Sequence, residues 1–220
     1  MELLIKHERL SNFMNSEYIK ENLHFEILTE EHELSKFECA SWDLTDFLRN
    51  DALKQQDMNL NITQLAVCDG EIIGFVSLLT DVIKLNVLDN QEVIGEIKEE
   101  LNLIGDNNNV PAIKIGRFAI DKKYAGKSLG KFIFRNLLLS ILYMSKNKVG
   151  LRFITVEAYA SAFNFYVEKN NFSYRKSDVK LIKKLDKIIE RDPEMQFNLH
   201  LDLKDIQLSK DEIKELGLLI

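Results

Sequence analysis

Alternation and helical spacing divide this chain into short elements. Leu23–Leu28 (Leu-His-Phe-Glu-Ile-Leu) alternates apolar and polar positions and predicts a strand. From Glu30 to about Gln56, Leu34, Phe37, Leu44, Phe47, Leu48 and Ala52 recur at helical spacing, predicting two short helices. Thr63–Cys68 and Ile72–Thr80 are β-rich runs joined by Asp69-Gly70, a strong hairpin signal. A helix near Asn90–Leu101 and a Gly105–Asn109 loop follow, and Pro111 leads into an extended segment, Ile113–Ile120.

Leu129 to about Lys146 forms the most apolar helix. Its apolar residues point in nearly every direction, so it belongs under a sheet. Beyond it the pattern predicts a strand (Arg152–Ala158), a helix (Ser161–Lys169), a strand (Phe172–Arg175) and a charged amphipathic helix (Val179–Glu190). Met195–Leu203 alternates cleanly, and a last helix runs from Ser209, an N-cap residue, to Leu216 before Gly217. Strands alternate with helices while the early hairpin demands antiparallel pairing. The expected class is α/β, with a mixed sheet covered by helices.

Composition bounds this picture. With 220 residues, 45% apolar and 29% charged, the chain suits one well-cored domain with additions. We divide it into an N-terminal extension (1–22), a main domain (23–203) with a helical insert at about 177–194, and a tail (204–220). No apolar run approaches a bilayer span, and the N-terminus lacks the apolar centre of a secretory signal, so a cytoplasmic protein is expected. Cys39 and Cys68 offer neither a disulfide framework nor metal-ligand spacing, and no metal is expected. His7, His24, His32 and His200 form no recognisable cluster.

Charge sharpens the search. The net charge is −6, yet Ile113–Arg152 holds ten basic residues against the single acid Asp121, so that segment is +9 and the remainder −15. A cationic segment in an acidic chain suggests a focused anion site. Within it a β-run passes into a loop containing Gly126 and Gly130, and the loop opens directly into the buried helix. Such a turn can aim backbone N–H groups and the helix dipole at an anion, and glycine lets the main chain come close. Lys122, Lys123, Lys127 and Lys131 crowd that helix start, where a macrodipole prefers negative charge; a bound polyphosphate relieves the conflict.

The run Ile115-Gly-Arg-Phe-Ala-Ile-Asp121 followed by Ala125-Gly-Lys-Ser-Leu-Gly130 resembles the acetyl-CoA motif of the GNAT N-acetyltransferases, usually written Arg/Gln-x-x-Gly-x-Gly/Ala. Ala162-Phe-Asn-Phe-Tyr166, then Asn171-Phe172, is similar to that family's later Ala-x-x-Phe-Tyr…Gly-Phe segment. Ala125 replaces the usual Arg/Gln, Ser128 the first motif glycine, and Asn171 the later one. The resemblance implies a GNAT-like fold, a mostly antiparallel twisted sheet with one splayed strand pair and helices on both faces. It implies transfer of acetyl from acetyl-CoA directly to an amine. The pyrophosphate would lie on the amides of Lys127, Ser128, Leu129 and Gly130, within a loop running from Ala125 and Gly126 to Lys131. The pantetheine arm would pair with the backbone of Phe118, Ala119 and Ile120. Tyr166 would protonate the leaving thiolate; the base is left between Glu157 and water.

Phe37-Glu-Cys39, Leu44, Phe47-Leu48 and Ala52 resemble the Phe-x-Cys-Gly…Leu-Asp-x-Phe-Leu…Ala signature of the acetyltransferase toxins of toxin–antitoxin pairs, with Ala40 for Gly and Thr45 for Asp. For that branch the acceptor is aminoacyl-tRNA and the partner a small DNA-binding antitoxin. The acidity outside one segment speaks against a broad RNA-binding surface. The first reading is therefore acetylation of a primary amine on a small molecule or protein. The alternatives are acetylation of aminoacyl-tRNA and a non-catalytic acyl-CoA-binding module. The insert and the N-terminal extension either cover the acceptor cleft or build a homodimer.

Overall fold

In a computed structural model of the chain, the described residues are 15–101 and 109–217. The elements are α1 (Ser16–Asn22), β1 (His24–Ile27), α2 (Trp42–Asp46), α3 (Ala52–Asp57), β2 (Ile62–Cys68), β3 (Glu71–Lys84), α4 (Gln91–Leu101), β4 (Asn109–Ile120), α5 (Leu129–Asn147), β5 (Phe153–Tyr159), α6 (Phe163–Asn170), β6 (Ser173–Tyr174), α7 (Val179–Ile182), α8 (Leu185–Arg191), β7 (Gln196–Asp202) and α9 (Lys210–Glu215). The strands form a seven-stranded sheet in the order β1-β2-β3-β4-β5-β7-β6. β1 with β2, β2 with β3, β5 with β7 and β6 with β7 are antiparallel, while β4 and β5 run parallel from Ala112↔Phe153 to Ile115↔Val156.

The chain divides into two compact units, one of Met1–Leu78 with Arg117–Leu137 and the other of Leu79–Gly116 with Leu138–Ile220. In the first, strand alternation sorts side chains into two cores. Leu65, Val67, Phe75 and Ala119 pack with Phe37, Phe47 and Leu48. Ala66, Cys68 and Ile73 pack instead with Ile19, Tyr124, Leu129 and Ile133. Both sheet faces are thus buried, which is why β2 reads as an almost unbroken apolar run. In the second unit Ile83, Leu85, Leu88, Ile94, Ile97, Val110, Ala112 and Phe153 make a core. Arg152 there bonds Asp202 at 2.8 Å and Glu96 at 3.4 Å, and Lys204 also bonds Glu96.

Three expected helices depart from the pattern. Around Leu34 and Phe37 the chain makes turns, with Phe37 N–H donating to the Leu34 carbonyl, and between β1 and Trp42 it forms no helix. The apolar spacing there serves single anchors dropped into the core from a loop. From Trp42 to Asp57 the helical path is widened to π geometry over Phe47–Asp51. The expected Val179–Glu190 helix breaks at Lys183-Lys184 into α7 and α8. The Gly105–Asn109 loop lies almost wholly outside the described residues. Ser209 caps α9 reciprocally with Glu212, as its position predicts.

Candidate active site

The loop after β4 is organised by Asp121, the lone acid of the basic segment. Its side chain is 2% exposed and works as a double acceptor. One oxygen takes the Lys123 N–H at 2.8 Å, the other the Glu38 N–H at 3.0 Å. The Asp121 N–H donates to the Ile73 carbonyl and the Lys122 N–H to the Glu38 carbonyl. The Phe37-Glu-Cys39 segment and the β4 corner, far apart in sequence, are therefore fastened together. Cys39 is buried, its thiol 3.1 Å from the Ser41 carbonyl and its N–H on the Thr45 hydroxyl. It is a packing residue, as its sequence setting suggests.

Beyond the corner, Lys122–Tyr124 makes one tight turn and Tyr124 buries its ring against the start of α5. Burial, then Glu71 and Asp121, raise the Tyr124 phenol to about 12, so it stays protonated. The chain next passes through two left-handed residues, Gly126 at φ +76° and Ser128 at φ +59°. Ser128 thus adopts the conformation for which glycine is usually used. Leu129 is fully buried and anchors the helix start, while Ala125, Gly126, Lys127, Ser128 and Lys131 are exposed. A Cβ on Gly126 would meet nothing within 4 Å, and one on Gly130 only Ile120 at 3.5 Å. The result is a shelf of bare backbone before a 19-residue helix whose first-turn amides have no carbonyl of their own helix to satisfy them. The residue types fit a diphosphate.

The lysines are distributed differently from the sequence expectation. Lys122 pairs with Glu38 at 2.5 Å and Lys123 lies 3.7 Å from Glu71. Lys127 rests over the Tyr124 ring, 5.4 Å from its centroid. The crowding of cations is therefore relieved partly by carboxylates from distant segments, which charge counting along one stretch cannot reveal. Lys127 in the loop and Lys131 in the first turn of α5 remain as the cations beside the shelf.

Phe118, Ala119 and Ile120 form the end of β4. Ala119 is buried; Phe118 packs edge-on against Phe134, with ring centroids 5.2 Å apart, and Arg117 lies over the Phe47 ring. Gly74 on β3 makes the close approach possible here, a residue the sequence reading passed over. Its signal was a lone glycine inside a β-run.

Tyr166 and Glu157 belong to the second unit. Tyr166 on α6 is 6% exposed, with edge contacts to Phe165 and Phe172 at 5.3 and 5.4 Å. Burial raises its pKa, so the phenol holds its proton at neutral pH. Its carbonyl accepts the N–H groups of Asn171 and Phe172, and Asn171 takes the left-handed conformation, φ +59°, that ends the helix. Glu157 is exposed on β5 and pairs with Lys114 at 2.8 Å. His24 and His32 both bond Glu26, at 2.6 and 3.0 Å, on and beside the β1 edge. His200 sits half-buried on β7, and His7 lies outside the described residues. Among the described residues no carboxylate, histidine and cysteine group suits a metal ion, and no helix is long and apolar enough to cross a membrane.

No protein-family model matches the chain. The tRNA-acetylating toxin of Mycobacterium tuberculosis (strain ATCC 25618 / H37Rv) is 24% identical over 141 residues, spanning 64% of this chain and 78% of that protein. A tyrosine-to-phenylalanine mutant of KacT superposes with a TM-score of 0.64 at 18% identity, covering 83% of this chain and 96% of the other. AtaT complexed with acetyl-methionyl-tRNAfMet gives 0.63 at 17% identity, covering 83% and 95%. AtaTR bound with acetyl-CoA gives 0.57 at 19%, covering 84% and 95%. The fold is that of these GNAT-type toxins.

Proposed function

We propose that this chain is an acetyl-CoA-dependent acetyltransferase whose acceptor is the amino group of an aminoacyl-tRNA, and that it acts as the toxin of a toxin–antitoxin pair. The observation that carries the acetyl-CoA part is the backbone shelf of Gly126–Gly130, turned by two left-handed residues onto the start of α5. The RNA part is supported by the name of the mycobacterial relative and by the RNA complex of AtaT. AtaT has also been solved bound to its antitoxin AtaR, which supports a partner of that kind here.

In this reading the acceptor nitrogen attacks the thioester carbonyl, a C–N bond forms and the C–S bond breaks. The departing thiolate takes the Tyr166 proton, and the phenol stays available as an acid because burial keeps it protonated. The amine loses a proton to water or to Glu157, whose carboxylate is tied to Lys114. The first reading from sequence, a small-molecule or protein amine, now stands second, favoured only by the acidic balance of the chain outside 113–152. That balance is compatible with RNA if the footprint is small, confined to the charged end of the acceptor.

The test is transfer of labelled acetyl from acetyl-CoA to charged tRNA, to free amino acids and to peptides in parallel. N-acetylated amino acid released from tRNA by mild base is the expected product. Label on free amines or peptides alone would overturn the RNA assignment while leaving the transferase reading standing.

A further inference from the structure

The second unit contains a polar cavity of about 240 Å³ that the transfer chemistry above does not use. It lies along one face of the sheet, where register sets Lys114 beside Thr155 and Thr155 beside His200. Asp81 from β3 completes the floor: one of its oxygens takes the Thr155 hydroxyl at 2.5 Å and the other the Val82 N–H at 2.8 Å. Asp81 is therefore a strut, its charge already engaged. Lys114 is neutralised by Glu157.

What remains on the lining is cationic. Arg175 is half-buried and Lys84 exposed, and neither makes an ion pair among the described residues. The half-buried His200 lines the same cavity; its ring makes no hydrogen bond among the described residues and lies edge-on to Phe153. Burial lowers the His200 pKa, with Arg175 adding to it and Asp89 opposing, so the ring is mostly neutral at pH 7 and offers one N–H. A half-buried guanidinium with no carboxylate partner, beside a ring donor, is the arrangement that phosphate recognition uses. Val82 and Val87 give the cavity apolar walls.

We propose that this cavity takes the phosphate of a nucleotide, with Arg175 and His200 donating to its oxygens and Lys84 adding charge. That the nucleotide is the terminal one of the acceptor RNA, rather than a free one, rests on the proposed function; the phosphate chemistry does not. This places the RNA-contacting charge in a small pocket and accounts for an acceptor of high negative charge on an acidic chain.

The full chain is titrated with adenosine monophosphate, inorganic phosphate and acetate while the ring signals of His200, assigned with His200→Asn, are followed by NMR. Adenosine monophosphate and phosphate should move them, and Arg175→Ala should weaken the response about tenfold, with Arg175→Lys between. No movement, or an equal response to acetate, overturns the proposal. In transfer assays Arg175→Ala should raise KM for charged tRNA about tenfold with kcat and the acetyl-CoA-induced melting shift unchanged. An unchanged KM for RNA that is acetylated defeats the cavity assignment. A nucleotide response without any RNA acetylation supports the cavity as a free-nucleotide site and defeats the RNA reading instead.

Discussion

Gly74 and Ala119 approach so closely that a Cβ on Gly74 would lie 2.7 Å from the Ala119 carbonyl oxygen, and as near to Ile120 Cδ1. Backbone on one side cannot yield as a flexible side chain can. The end of β4, where the pantetheine arm would pair in the proposed reading, therefore depends on a glycine in the neighbouring strand. Gly74→Ala should cost about 2 kcal/mol of stability, in the range of overpacked core positions. It should also weaken acetyl-CoA binding, because the β4 end must shift. Urea unfolding and calorimetric titration read the two effects separately.

Ser128 at φ +59° carries a backbone strain that glycine would not. Left-handed backbone costs an L-residue about 1–2 kcal/mol, and glycine's extra unfolded-state entropy returns part of the gain. Ser128→Gly should therefore stabilise by about 0.5 kcal/mol, while the β-branched Ser128→Val should destabilise by at least about 1 kcal/mol. Thermal melts of both variants check the sign. Equal melting temperatures would contradict the strain argument.

Asp202 is 6% exposed, pairs with Arg152 at 2.8 Å and accepts the Lys204 N–H at 2.9 Å. Removing it strands a half-buried guanidinium. Asp202→Ala should cost about 3 kcal/mol, the price of breaking a buried pair from one side. Arg152 keeps Glu96 as a second partner, which sets a ceiling on the loss. Chemical denaturation gives the value directly.

The lowered pKa of His200 makes an acid-side prediction. A histidine whose folded pKa lies below its unfolded value of 6.5 favours the folded state when neutral. Its contribution is complete above pH 6.5 and is lost as pH falls through the lower folded value. Between pH 6.5 and 5 the wild type should lose stability faster than His200→Asn, measured as the slope of unfolding free energy against pH.

Much of this architecture was legible in sequence. The Asp69-Gly70 hairpin, the β4 strand, the buried α5 helix and the Ser209 cap all follow from period, turn chemistry and capping, which act locally. Leu34 and Phe37 misled because single apolar anchors in a loop can mimic helical spacing. Asn171 and Ser128, which stand where the resembled motifs carry glycine, take left-handed backbone that few residue types accept. What was hidden is tertiary: Lys122 meeting Glu38, Asp121 reaching back to the same residue, and Thr155 joining Asp81 across 74 positions. No local pattern encodes which distant carboxylate will neutralise which lysine. Net charge says least about the acceptor, since it reports a surface average and not a pocket.

Tyr166→Phe removes one oxygen from a buried ring and should leave acetyl-CoA binding intact. Loss of a general acid should lower kcat by a factor on the order of 10² or more. Unchanged turnover would assign the tyrosine to packing with Phe165 and Phe172.

The central claim is that the amides before α5 hold the diphosphate of acetyl-CoA, and calorimetric titration of wild type against Gly130→Asp tests it most directly. The aspartate has room, since its Cβ would meet only Ile120 at 3.5 Å, and a carboxylate suits a helix start, so the variant should fold. Wild type should bind acetyl-CoA and the variant at least about tenfold more weakly, since a fixed negative charge occupies the phosphate position. Equal affinity for the two proteins, or no binding by wild type, would contradict the account.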